Sequence, residues 1–148
     1  MDNPCIIEPS NYNEGCVVTL ELPPNAPPQI KSAMMEKPFR IVTMCQGGHV
    51  RSVALKYLLK YEHGHDVIAC GWESNPLSTR EMLFEWADFI VIMQPEFVRY
   101  VPKEYHNHGD GTRKLFCYDV GNDRFHNPFH SELQKMLRSM IVRHKLFL

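Results

Sequence analysis

Residues 38–52 constrain this chain more tightly than any other stretch. An apolar run, Phe39-Arg40-Ile41-Val42-Thr43-Met44, leads into Cys45-Gln46-Gly47-Gly48-His49-Val50-Arg51-Ser52 and then into the helically patterned residues 53–61. This order reads as a short buried strand over 39–44, a glycine-bearing loop, and a helix beginning near Ser52. A loop that opens a helix aims several backbone N–H groups at one point, where the helix dipole also favours negative charge. The stretch is an anion cradle.

Its bracketing makes it specific. Cys45 closes the strand, Arg51 follows six residues later and Ser52 comes next. Amide dipoles and a neighbouring guanidinium both stabilise a thiolate, the nucleophilic form of cysteine. Arg51 offers a planar fork of donors to two oxygens of a phosphate, and Gly47 and Gly48 let the backbone approach without a Cβ in the way. The hydroxyl of Ser52 is placed to donate to the Cys45 sulfur and ease its departure. These parts suit nucleophilic displacement on phosphorus through a phosphocysteine. The candidate phosphate-binding set is Gln46, Gly47, Gly48, His49, Val50 and Arg51. A buried structural cysteine beside a helix-start arginine is the alternative reading of the same residues.

Cysteine, five residues, arginine, then serine, placed between strand and helix, resembles the cysteine-based phosphatases. Its place on the first strand is similar to that in the low-molecular-weight protein tyrosine phosphatases, and the similarity runs from about Phe39 to Met140. The resemblance implies a three-layer α/β sandwich with a four-stranded parallel sheet, strand order 2-1-3-4, and helices on both faces. It also implies an acid: an Asp immediately after the fourth strand, usually followed by Pro. Asp119 occupies the matching place, with Val120 where Pro is expected, and Asp123 lies on the same loop, so the general acid is Asp119, Asp123 or neither, an ordinary turn Asp being the alternative reading of each. Family loops usually carry Asn three residues after the nucleophile, where this chain has Gly48, so a looser loop or another residue in that role is implied. Val50 replaces the second loop cysteine found in many members.

Composition narrows the alternatives. At 148 residues with 44% hydrophobic content, the chain is large enough for one domain with a core of its own. Sixteen Lys+Arg against 17 Asp+Glu leave a net charge of −1, which gives no support to charge-driven nucleic-acid binding. No stretch approaches the roughly 20 apolar residues of a membrane span, and the first residues lack the regions of a signal peptide, so a cytoplasmic protein is expected. Five scattered cysteines, Cys5, Cys16, Cys45, Cys70 and Cys117, with no CxxC, indicate neither a disulfide framework nor a metal site. No cofactor is expected.

Residues 1–37 differ from the rest. A strand is possible over 16–22, after which Pro23, Pro24, Pro27 and Pro28 impose an extended, donor-poor linker. This is an N-terminal arm rather than a second domain. Packing on the core, covering a sheet edge, self-association into an oligomer and a partly disordered leader all remain open for it. The phosphatase-like domain is 38–148.

Within that domain strands and helices alternate. A helix from Ser52 to about 62 ends at Gly64, and 66–72 is the second strand. Ser78-Thr79-Arg80-Glu81 has capping-box spacing before a helix that buries Met82, Leu83 and Trp86. Residues 88–93 form a strand apolar enough to be covered on both sides. A helical turn over 95–101 and a mobile-looking loop over 105–113 precede the fourth strand, 114–118. The last helix opens at Ser131-Glu132-Leu133-Gln134 and buries Leu133, Met136, Leu137, Met140 and Ile141, with His144 solvated near its end. Right-handed crossovers then make the sheet parallel, and the strand order that the resemblance implies puts the Cys45 loop at its switch point.

The expected function is that of a cysteine-dependent phosphomonoesterase of the protein tyrosine phosphatase type. Its partner would be a phosphorylated protein or a small phosphate ester. Trp72 and Tyr118 are candidate walls for an aromatic slot, and Trp86 reads as packing. Two other readings stay open. One is a phosphate- or phosphoprotein-recognition module without turnover, and the other an arsenate reductase using Cys70 or Cys117 as relay thiols, although both cysteines read first as core residues.

Overall fold

A computed structural model describes residues 36–148 and, before them, the backbone of the strand Cys16–Val18. In chain order the strands are β1 (Cys16–Val18), β2 (Arg40–Cys45), β3 (Asp66–Gly71), β4 (Phe89–Ile92) and β5 (Leu115–Asp119). The α-helices are α1 (Arg51–Tyr57), α2 (Leu77–Trp86) and α3 (Ser131–His144). The wide turn Leu58–Glu62 prolongs α1, and Gly64, at φ +76°, redirects the chain into β3.

The parallel strands run in the spatial order β3-β2-β4-β5, which is the 2-1-3-4 order expected. A fifth strand adds to it: β1 pairs antiparallel with β5, Val17 opposite Tyr118, and covers that edge. Residues 1–15 and 19–35, with Pro23, Pro24, Pro27 and Pro28 among them, lie outside the described residues.

Every residue of β4 is buried, and β2 is buried from Ile41 to Cys45. Strands covered on both faces are apolar, and the buried residues of these two are, except Thr43, whose hydroxyl is hydrogen-bonded. On one face α1 and α3 lie side by side, with Tyr57 edge-on to Phe129 at 5.0 Å and Arg138 bonded to Glu62 at 2.7 Å. Chain direction reverses between the β2–β3 and β3–β4 connections, so right-handed crossovers put α2 on the opposite face. The crevice this opens at the carboxyl ends of β2 and β4 is where the Cys45 loop stands.

Several local expectations need correcting. Pro76 precedes α2 with no side-chain cap, so the Ser78 box does not form. Met82 is 74% exposed; α2 buries Arg80 and Phe84, while Leu83 and Trp86 pack partly buried against the core. His130, not Ser131, caps α3, its Nδ1 accepting the Glu132 N–H at 3.2 Å. The 105–113 segment is closed by a bridge between Asn107 and Arg113, and Asp110 Oδ1 accepts from both Thr112 N and Thr112 Oγ1.

Candidate functional site

Cys45 ends β2 and is buried, with its sulfur under the loop that follows. Gly48 N–H donates to Cys45 Sγ at 3.3 Å, and Ser52 Oγ lies 3.2 Å from the same sulfur. Thr43, two residues back on the strand, donates its hydroxyl to Ser52 O at 2.8 Å and so pins the helix start to β2. Ser52 is fully buried.

Backbone contacts with β3 and its following turn set the loop's shape. Gly48 takes φ +76°, a left-handed conformation that Asn tolerates but glycine adopts at no cost. A Cβ at Gly48 would meet the Cys70 carbonyl carbon and Gly71 N at 2.8 Å. Across from it, a Cβ on Gly71 would meet Gly47 C at 2.4 Å and Gly48 N at 2.6 Å. Trp72 N–H donates to Cys45 O at 3.1 Å, Glu73 N–H to Gln46 O at 3.0 Å, and Ser74 Oγ to Gly47 O at 2.7 Å. Asn75 Oδ1 accepts the Gly71 N–H at 2.9 Å. The 71–75 turn thus braces the loop through these contacts. Gln46 and His49 are exposed, and Gly47 and Val50 are partly covered.

Arg51 is 1% exposed. Its Nη1 donates to Gln94 Oε1 and Gly121 O, its guanidinium lies 5.5 Å from the Phe97 ring, and its Nε is buried without a hydrogen-bond partner. Burial pulls its pKa below the ordinary value, and Cys45, Asp123, Asp119 and Glu96 pull it back, so all four lie within electrostatic reach. Guanidinium stays charged through such a shift.

Asp119 ends β5 half-buried, and its Oδ1 accepts the Gly121 N–H at 2.9 Å, closing a turn in which Gly121 has φ +81°. Burial raises the Asp119 carboxyl above its ordinary pKa; the Gly121 N–H and Arg51 oppose the rise, and Glu96 adds to it. Asp123 is exposed on the same loop.

Of the expected walls, Trp72 alone stands beside the loop. It stacks on Tyr100 at 4.1 Å with planes 4° apart and meets Phe97 edge-on at 5.8 Å. Tyr118 is 0% exposed and cannot line an opening: its hydroxyl is 2.6 Å from His144 Nδ1, between β5 and α3. His144 is correspondingly not solvated, and burial lowers its pKa to about 4. Trp86 packs under Arg40, at the start of β2 and so at the other end of the sheet from the loop.

Cys70 is buried, and burial together with Cys45 pushes its thiol up to about 12. Cys117 is fully buried in β5. Among the described residues no group of three or more His, Cys, Asp or Glu is arranged to hold a metal ion, and no helix is long and apolar enough to cross a membrane.

Gln94, Gly71, Gly121, Phe97 and Tyr100 were not evident as site residues from sequence. Gly71 and Gln94 had a positional signal, since Gly71 ends a strand and Gln94 stands two residues past the end of another, at the carboxyl edge where ligands bind.

No family model matches the chain, and no curated protein matches it in sequence. Among solved structures it is similar to a low molecular weight protein tyrosine phosphatase from Bacillus subtilis, at 16% identity and TM-score 0.47, over 72% of this chain and 97% of that one. It is also similar to the YwlE arginine phosphatase from Geobacillus stearothermophilus, at 16% identity and TM-score 0.38, over 74% of this chain and 88% of that one. Both likenesses are distant, and the chemistry of the site is carried by its own atoms.

Proposed function

We propose that this chain is a cysteine-dependent phosphomonoesterase working through a phosphocysteine. What supports it is the convergence on Cys45 Sγ of the Gly48 N–H and the Ser52 hydroxyl, with a buried Arg51 in electrostatic reach. Polar groups gathered at one sulfur, with Arg51 beside them, suit the three equatorial oxygens of a phosphoryl group in transfer.

In the first step the thiolate forms a bond to phosphorus while the P–O bond to the leaving group breaks, and Asp119 or Asp123 gives its proton to the departing oxygen. The resulting carboxylate then takes a proton from water as that water attacks phosphorus. The S–P bond breaks, its electron pair returns to Cys45, and Ser52 donates to the sulfur as it leaves. Asp119, kept above its ordinary pKa by burial, suits the acid role better than the exposed Asp123.

Trp72 on Tyr100, next to Phe97 under Arg51, suits a flat aromatic leaving group, so an aryl phosphate such as phosphotyrosine is the favoured substrate class. Hydrolysis of para-nitrophenyl phosphate tests the reading. Cys45→Ser should abolish turnover while inorganic phosphate still binds; undiminished turnover removes the mechanism.

One observation favours recognition without turnover: the Asp119 carboxylate is engaged by Gly121 N–H within its own turn. Saturable phosphate binding with no product at any pH would select that reading. The arsenate relay has less support, because a thiol pushed up to about 12 is a poor attacking group at neutral pH.

A further inference from the structure

Arg51 Nη1 donates twice, to Gln94 Oε1 at 2.5 Å and to Gly121 O at 2.8 Å, and neither acceptor carries a charge. Gln94 in turn donates from Nε2 to Glu96 Oε2 at 3.1 Å and to Asn122 Oδ1 at 3.3 Å. Its oxygen faces a donor and its nitrogen faces two acceptors, so one orientation of the amide satisfies every group around it. The Nε of Arg51 is buried and has no hydrogen-bond partner.

We infer that Gln94 is a positioning residue: its amide oxygen holds the Arg51 guanidinium, and its amide nitrogen ties that grip to Asn122 on the loop that carries Asp119 and Asp123. The inference rests on the phosphatase reading and deepens it. A carboxylate at position 94 would hold Arg51 as firmly but would form an ion pair, and an ion pair competes with a phosphoryl dianion for the same charge. A neutral amide fixes the guanidinium and leaves its charge for the ligand. Because Asn122 sits between the two acid candidates, one side chain sets the spacing between the group that binds the phosphoryl oxygens and the loop that delivers the proton. Spacing of this kind is a large part of catalysis on a bound ester.

Gln94 sits where such a residue must sit. It stands two residues past the end of β4, at the carboxyl edge of the sheet beside the crevice, and opens the short helical turn Pro95–Tyr100 that brings Phe97 under Arg51.

Inorganic phosphate is the probe, titrated calorimetrically and used as a competitor of para-nitrophenyl phosphate, with Gln94→Glu, Gln94→Met and Asn122→Ala compared by unfolding temperature as well. Gln94→Glu should keep its stability and bind phosphate about tenfold or more weakly, with KM raised in step. Gln94→Met should lower kcat about tenfold or more with a smaller rise in KM. Asn122→Ala should lower kcat while phosphate binds as before. Parental phosphate affinity in Gln94→Glu overturns the inference, as does an equal loss of binding, turnover and stability in both Gln94 variants, which would mean packing alone. An unchanged kcat in Asn122→Ala overturns the link to the acid loop. If the parent binds phosphate and hydrolyses nothing, the phosphatase reading fails, and the Gln94→Glu phosphate titration still decides the grip on Arg51.

Discussion

Gly71, at the end of β3, lies so close to Gly47 in the loop that a Cβ on it would stand 2.4 Å from the Gly47 carbonyl carbon. Backbone, not a flexible side chain, occupies that space, so the loop has to move if Gly71 gains a methyl group. Gly71→Ala should cost about 1–3 kcal/mol of stability and remove phosphate binding together with it. Denaturant unfolding and a phosphate titration check both; parental values in either would show that the loop accommodates the methyl.

A general acid works only while protonated, so kcat/KM should be high below its pKa and fall as pH rises through it. Burial raises the Asp119 carboxyl, which puts that fall above the ordinary carboxylate range. Asp119→Asn should erase this limb and slow an ester with a poor leaving group by about 100-fold or more, a para-nitrophenyl ester less. A limb that survives in Asp119→Asn and vanishes in Asp123→Asn would transfer the role to Asp123.

Ser52 Oγ lies 3.2 Å from the sulfur, and in the proposed mechanism its hydroxyl donates to that sulfur as it departs from phosphorus. Ser52→Ala should therefore slow the second step more than the first. A hydrogen bond to a charged group is worth roughly 1.5–3 kcal/mol, so turnover should drop about 10- to 100-fold. Rapid mixing should reveal a burst of nitrophenol followed by a slow steady rate. Equal slowing of both phases would place the hydroxyl's effect elsewhere.

His144 accepts or donates a 2.6 Å bond with Tyr118 in a buried setting that lowers its pKa to about 4. The unfolded chain, with an ordinary imidazole, binds the proton more readily, so stability is full above about pH 6.5 and is lost as pH falls toward 4. The shift corresponds to up to about 3 kcal/mol. Urea unfolding at pH 7 and pH 4.5 should show the loss, and His144→Gln should reduce it; an unaltered pH dependence in that variant would assign it to other groups.

The chain's alternation of apolar runs and helical stripes determined the parallel sheet, because burial on two faces leaves a mark along each strand, while the strand order came with the family resemblance. The bracketing of Cys45 by Gly48, Arg51 and Ser52 was legible for a related reason: these residues lie within eight positions, and the strand-to-helix transition alone brings them together. Tertiary structure decided what lies across the fold. Gln94 and Gly121 meet Arg51 over separations of 43 and 70 residues, and no local pattern records such a meeting. Tyr118 follows the same division. Its place at the end of a strand near the acid loop suggested a wall, but a strand residue has two faces to choose from, and packing toward helix α3, where His144 meets its hydroxyl, was the choice that buried it.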